Sequence, residues 1–537
     1  MSSTSASSSP SLPPSPTPAP TPPGPGAVGP PGRLGKVPIA ALGVLALALG
    51  ALQSVLDPAL PLLQRELGIT PSEGALVGNS LLVTGAVVAP VAGKLGDRYG
   101  GKRVLLLLMA VVSTGGVLAS LAPNLPVLLV GQVMQGVMIG ALPLSFILVR
   151  KNLPAARSQA AIGLVLALFT GGSMVGTLFA GPVAEGLSWH WMFALPTAVI
   201  IVAALAVALL MPHDPPVRAD SPIDWPGVVL LSGALLTFMI GLVRVTGSGL
   251  APLAVVALVV VVAGLVTGWV VVERRTASPM VDLRMLAKPS MWHACLLTVV
   301  VSGGFGMTAL LIPQLLAMPE QAYGFGADTT DIGLLLLPGA VAGSLADSVG
   351  GLATRRFGPR VVVVAGSVVA VATLFTLASL HSASWQLVVA KVLTAFAAGV
   401  GTTALLAGAA TDVETGDIGI ATSLLVVTRV IGVAVGAQVG ATILDSGVDG
   451  ATGLPTESSF VTGFTVAGLI AAVSLLAVRL TRSRTAKPRT AKPRGAATGT
   501  PTGTPSAPST PTDTPAGTPA TARTSTPTST SNKGAQA

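Results

Sequence analysis

Four ionisable side chains, Asp57, Asp347, Lys391 and Arg429, stand inside or at the end of long apolar runs. An ionisable group at mid-depth in a bilayer costs about 2.5–3.5 kcal/mol on insertion scales, so each is a functional candidate by default. The chemistry open to them is proton and cation handling rather than bond cleavage. A carboxylate there can protonate from one side of a membrane and compete with a cationic substrate. Asp57 lies in Leu56-Asp57-Pro58-Ala59-Leu60-Pro61, whose prolines are expected to break the helix and free carbonyls. It either lines a cavity or caps an outer loop. Asp347, in Leu345-Ala346-Asp347-Ser348-Val349-Gly350, is expected to face a bundle interior, as a coupling acid or as an ion-pair partner between helices. Lys391 follows Trp385 by six residues and either supplies a cavity charge or snorkels to the outer interface.

Other chemistries find no support. The single cysteine, Cys295, excludes an internal disulfide framework and a cysteine-ligated metal site, and His190, His213, His293 and His381 lack ligand spacing. No Gly-x-x-x-x-Gly-Lys-Ser/Thr loop is present to cradle a nucleotide, and no spacing orients a Ser-His-Asp triad. The expectation is therefore no enzyme activity, no cofactor and no metal. Glu185, just before Ser188-Trp189-His190-Trp191, reads as an outer-interface residue, and Asp282 and the acids of 412–417 read as solvated loop charges.

The elements that must position these residues follow from composition. Of 537 residues, 51% are hydrophobic and 9% charged, against about 25% charged in an ordinary globular protein. Mean hydropathy is +0.77. So few charges cannot cover a water-exposed surface, which excludes an ordinary soluble enzyme. Fourteen apolar runs of about 20 residues, the length that spans a hydrocarbon core as helix, are centred near 48, 84, 112, 137, 170, 200, 235, 262, 304, 341, 370, 397, 431 and 469. Helix is the only reading that lets backbone in lipid satisfy its own hydrogen bonds.

The charges test that count. With the N-terminus inside, fifteen Lys and Arg residues from Lys94 to Arg360 fall in inner loops, and two, Arg65 and Arg244, fall in outer ones. The positive-inside rule then places both termini in the cytoplasm of a multi-pass inner-membrane protein. The net charge of +9 faces the inner membrane surface, so no nucleic-acid partner is needed. Residues 1–36, rich in Pro and Ser, and residues 482–537, with a doubled Thr-Ala-Lys-Pro-Arg and Thr/Pro/Gly repeats, read as disordered cytoplasmic tails.

After the second run comes Gly93-Lys-Leu-Gly-Asp97-Arg98-Tyr-Gly100-Gly-Lys102-Arg103. This resembles the loop between spans two and three of the major facilitator superfamily, Gly-x-x-x-Asp-Arg-x-Gly followed by basic residues. Fourteen spans, together with Pro222-Ile-Asp224-Trp-Pro-Gly227 and Pro279-Met-Val-Asp282-Leu-Arg284, look like its drug:proton antiporter branch. The resemblance implies an all-α membrane fold of two six-helix halves, 37–212 and 291–481, with an inserted helix pair and loop at 213–290. It also implies that the signature loop is a conformational switch, with Asp97 latching against the start of span 13 near Asp417. Gly351-Leu-Ala-Thr-Arg355-Arg356-Phe-Gly358-Pro-Arg360 repeats the loop, Arg98-x-Gly100 matching Arg356-x-Gly358 at an offset of 258.

Departures from the family pattern fall in two spans. Where antiporters of this family carry Arg-x-x-Gln-Gly in span four, this chain has Gln132 at the arginine position. Val130-Gly131-Gln132 matches Val389-Ala390-Lys391 at an offset of 259, so Lys391 is the expected replacement charge and joins Gln132 as a coupling candidate. The antiporter pattern of span five keeps Gly172, Gly176 and Gly181 without its proline. These, with Gly432 and Gly436, are expected to bring helices close together. The combined expectation is a monomeric secondary transporter that exports apolar or cationic small molecules against proton flow. Export of another metabolite without antiport, and a non-transporting sensor or scaffold working through the tails, are the alternatives.

Overall fold

The computed structural model describes residues 36–212, 224–247, 252–276, 288–412 and 418–480. The two terminal tails, Asp282, Glu414 and Asp417 lie outside these residues. So do the side chains of Asp97 and Asp347, although their backbones belong to helices. Among the described residues the chain is helical, with one isolated β-bridge between Val448 and Pro455. All fourteen apolar runs fall on helices, which are numbered as spans in chain order. Thirteen are long and apolar enough to cross a bilayer, and span 7, Trp225–Gly247, offers the shorter apolar stretch Trp225–Phe238.

Span 1 is two helices, Lys36–Ser54 and Leu56–Leu67, and span 4 is two, Leu125–Gly136 and Ala141–Asn152, joined by the 3-10 turn Val137–Gly140. Spans 2, 3, 5 and 6 are Pro71–Tyr99, Gly101–Ser120, Ala155–Gly186 and His190–Leu210. Span 8 is Pro252–Arg275. Spans 9 to 14 are Pro289–Ala317, Thr329–Phe357, Pro359–Ser379, Ser384–Asp412, Ile418–Ser446 and Glu457–Leu480. Spans 1–6 pack on one another, as do spans 9–14; spans 7 and 8 pack together, and span 7 touches spans 2 and 13. The halves meet where span 2 lies on span 13, span 5 on span 10, and the second helix of span 1 on spans 9 and 10.

The internal repeat extends to backbone conformation. Gly100 and Gly358, 258 positions apart, end spans 2 and 10 with φ of 93° and 82°, a region that only glycine enters freely. Two residues before each, an arginine lies over the ring that follows it: Arg98 at 5.3 Å from Tyr99, Arg356 at 5.6 Å from Phe357.

Four of the singled-out glycines obey a second offset, 260. A side chain on Gly172 or Gly176 of span 5 would strike the backbone oxygens of Leu47 and Ala51 in span 1, at 2.0 and 2.3 Å. On Gly432 or Gly436 of span 13 it would strike those of Val299 and Gly303 in span 9, at 2.8 and 1.9 Å. Each half thus fastens its first and fifth helices by the same backbone contact. Gly436→Val forces two backbones apart and should destabilise the protein by about 1–3 kcal/mol or more. Thermal unfolding in detergent should show a lowered Tm, with Gly171→Ala, which faces open space, unchanged.

Candidate functional site

The break in span 1 sets the site. It falls at Val55, ahead of both prolines rather than at them. Pro58 occupies the first turn of the restarted helix, where its missing N–H costs nothing, and Pro61 leaves the Asp57 carbonyl without its helical donor. Asp57 lies in that first turn, where the helix dipole favours a negative charge. It is exposed, while Val55, Leu56, Pro58, Ala59 and Leu60 around it are buried.

Lys391 belongs to the other half. Seven residues into span 12, about 10 Å from its start, it is 9% exposed. Its stem fills the room left by Gly339 of span 10, whose Cβ would stand 2.5 Å from Lys391 Cγ. Nζ lies 5.4 Å from the centre of the Phe305 ring in span 9, a cation–π contact that strengthens when desolvated. Asp57 and Lys391 thus put opposite charges on opposite halves.

The other expected residues are more dispersed. Gln132 is 2% exposed on span 4, and its Nε2 is buried without a hydrogen-bond partner. Arg429 is half-buried on span 13. In the signature loop, Lys102 Nζ donates to the carbonyls of Ala208, at 2.8 Å, and Met211 at the end of span 6. Gly93 faces open space, Gly100 makes the turn, and Arg103 is exposed.

Sequence reasoning missed two groups. At the end away from the basic loops, hydrogen bonds join the halves. Asn79 Nδ2 donates to Gln438 Oε1 at 3.1 Å and to the Ala434 carbonyl at 3.0 Å, and Gln438 Nε2 donates to the Ser72 carbonyl at 3.1 Å. Gln314 Nε2 donates to Gln64 Oε1 at 2.7 Å. Glu185 and Asp445 accept backbone N–H groups from the opposite half. Uncharged amides inside apolar runs were the available signal.

The second group lies at the basic end. Asp224, 3% exposed, caps span 7 by accepting the Gly227 N–H at 2.9 Å. A Cβ on Gly227 would stand 2.3 Å from Asp224 Oδ2 and 2.9 Å from Glu273 Oε2, so two carboxylates converge there. Burial pulls the Lys94 ammonium below its ordinary value, while Glu273 and Asp224 oppose that shift.

Comparison with known proteins bears on all of this. The sequence profile described as Major Facilitator Superfamily matches residues 42–314 and 294–524. An uncharacterised MFS-type transporter of Mycobacterium tuberculosis is 30% identical over 411 residues, 73% of this chain and 57% of its own. The chain therefore spans little more than half the length of that relative. The tetracenomycin C resistance and export protein of Streptomyces glaucescens is 25% identical over 348 residues, 64% of each chain. Among solved structures, the nucleoside transporter NupG superposes with a TM-score of 0.60 at 12% identity, over 82% of this chain and 98% of its own. A bacterial homologue of the human lysosomal transporter Spinster does so at 0.59 and 14%, over 82% and 95%. At these identities the structural likeness speaks for the fold alone.

Proposed function

Since this chain belongs to the Major Facilitator Superfamily and is a multi-pass membrane transporter, we propose that it is a proton-coupled exporter of apolar or cationic small molecules. In this reading it belongs to the fourteen-span drug:proton antiporter branch. Residues 37–212 and 291–481 are the moving halves and 213–290 the inserted pair. The basic loops and both tails lie in the cytoplasm, and the protein works as a monomer. Relatives named for multidrug resistance and for tetracenomycin C export support the direction and the substrate class.

The observation that carries the proposal is Lys391, an ammonium buried within span 12 beside Gly339 and Phe305, together with Asp57 at the break in span 1, two opposite charges on opposite halves. An ionised Asp57 attracts Lys391 and draws spans 1 and 12 together. A proton arriving from outside removes that attraction. A cationic substrate does the same by pairing with the carboxylate, so proton and substrate compete for one group and exchange follows. The test is flux of tetraphenylphosphonium and ethidium into inside-out vesicles with an imposed pH gradient. Uphill accumulation that collapses with a protonophore is expected; accumulation that ignores the gradient rules the proposal out.

A further inference from the structure

At the end away from the basic loops, each half lends a carboxylate to a helix of the other. Glu185, near the end of span 5, accepts the backbone N–H groups of Thr329 at 2.7 Å and Thr330 at 3.3 Å, and the Thr330 hydroxyl at 2.7 Å. Thr329 and Thr330 are the first two residues of span 10. Asp445, one residue before the end of span 13, accepts the N–H of Ser72, the second residue of span 2, at 3.2 Å. These N–H groups belong to the opening turn of a helix, where none has a partner inside the helix.

The two contacts are one arrangement used twice. Ser72 and Thr330 are 258 positions apart, like Gly100 and Gly358; Glu185 and Asp445 are 260 apart, like Gly172 and Gly432. The local caps keep the same register. The Thr70 hydroxyl accepts the Glu73 N–H at 3.2 Å, and the Asp328 carboxylate accepts the Asp331 N–H at 2.7 Å. In both helices the local cap takes the third N–H and leaves the second to the opposite half. The copies differ where span 10 has Thr329 and span 2 has Pro71, which carries no N–H. Glu185 therefore holds two backbone donors and Asp445 one.

Beneath each cap the seam is tight. A Cβ on Gly181 would stand 2.2 Å from the Thr330 nitrogen, and one on Gly333 would stand 2.5 Å from the Thr177 carbonyl oxygen. On the other seam the Asn79–Gln438–Ser72 bonds take the place of glycine contacts.

We propose that Glu185 and Asp445 are paired positioning residues that hold this end of the transporter shut, each by setting its negative charge against the positive start of a helix in the opposite half. When this end opens, span 10 leaves span 5 and span 2 leaves span 13, and both carboxylates lose those donors together. The two caps act in parallel about the pseudo-twofold axis, so removing one leaves the other closed. The inference rests on membership of a transporter family and not on proton coupling at Asp57, and each can fail alone.

The test uses the full chain in lipid nanodiscs with Cys295→Ser. Spin labels go at Leu121→Cys and Leu380→Cys, two exposed residues at this end, 259 positions apart. Each of Glu185→Gln and Asp445→Asn should raise the ratio of long to short distances roughly two- to fivefold, the range expected for one charge at a helix start. The double variant should approach the product of the two effects. Glu185→Asp with Asp445→Glu keeps both charges and should keep the parent distribution. An unchanged distribution in both folded single variants overturns the proposal, and the singles suffice if the double does not fold. Opening in the charge-retaining pair as wide as in the neutral one also overturns it, because hydrogen-bond geometry rather than charge would then be responsible.

Discussion

Lys391→Gln should abolish uphill export, lowering the proton-driven rate by about two orders of magnitude, with the protein still folded. The ammonium is buried, its stem is held against Gly339, and Nζ lies near the Phe305 ring. In the proposed mechanism, removing the ammonium leaves the Asp57 carboxylate without the opposite charge that its protonation state is meant to answer. Glutamine is one atom shorter, stays polar and removes the charge, and the Lys391→Arg variant, which keeps the charge, separates electrostatics from volume. Lys391→Arg should retain part of the rate, limited by the close contact with span 10. Gln132→Arg added to Lys391→Gln should restore some transport, because it returns the charge to the position related by the repeat. Near-normal uphill export by Lys391→Gln would sink the role given to it.

Asp57→Asn should have an equally large effect of a different kind. The neutral amide cannot exchange a proton for a substrate, so accumulation against a gradient should vanish. Downhill movement of tetraphenylphosphonium should continue, and its rate should no longer follow the pH gradient. Vesicle flux measured in both modes separates this outcome from simple misfolding, which removes both. Full proton-driven accumulation by Asp57→Asn would mean that another group carries the proton.

Much of this was legible in the sequence, for physical reasons. Apolar runs of membrane length can only be helices, so all fourteen were visible. The repeat was visible because Arg98-x-Gly100 and Arg356-x-Gly358 build the same glycine-dependent turn. The offset that matched Gln132 with Lys391 pointed to a charge on the C-terminal half, and the structure buries that charge beside Gly339 and Phe305. The break in span 1 was expected at the prolines, yet it falls at Val55, because a proline in the first turn is compatible with helix.

What stayed hidden lacked a composition signal. Asn79, Gln438, Gln64 and Gln314 are neutral, so they escape the insertion-cost argument that exposes Asp57 and Lys391. Glu185 and Asp445 look like ordinary acids at helix ends until the 258 and 260 offsets are applied to them and to Ser72 and Thr330 together. Glu273 sits beside Arg274 and Arg275 and reads as one more charge at a membrane boundary, although it is buried against Asp224 and Gly227.

The most direct measurement is proton release on substrate binding. Purified protein in weakly buffered detergent, near the pH at which it binds tetraphenylphosphonium, is mixed with that cation while a pH dye is read. If proton and substrate compete for the Asp57 carboxylate, the parent protein releases protons in proportion to the cation bound. Asp57→Asn should bind the cation with no release. Release of the same size from Asp57→Asn would contradict the coupling assigned to this pair.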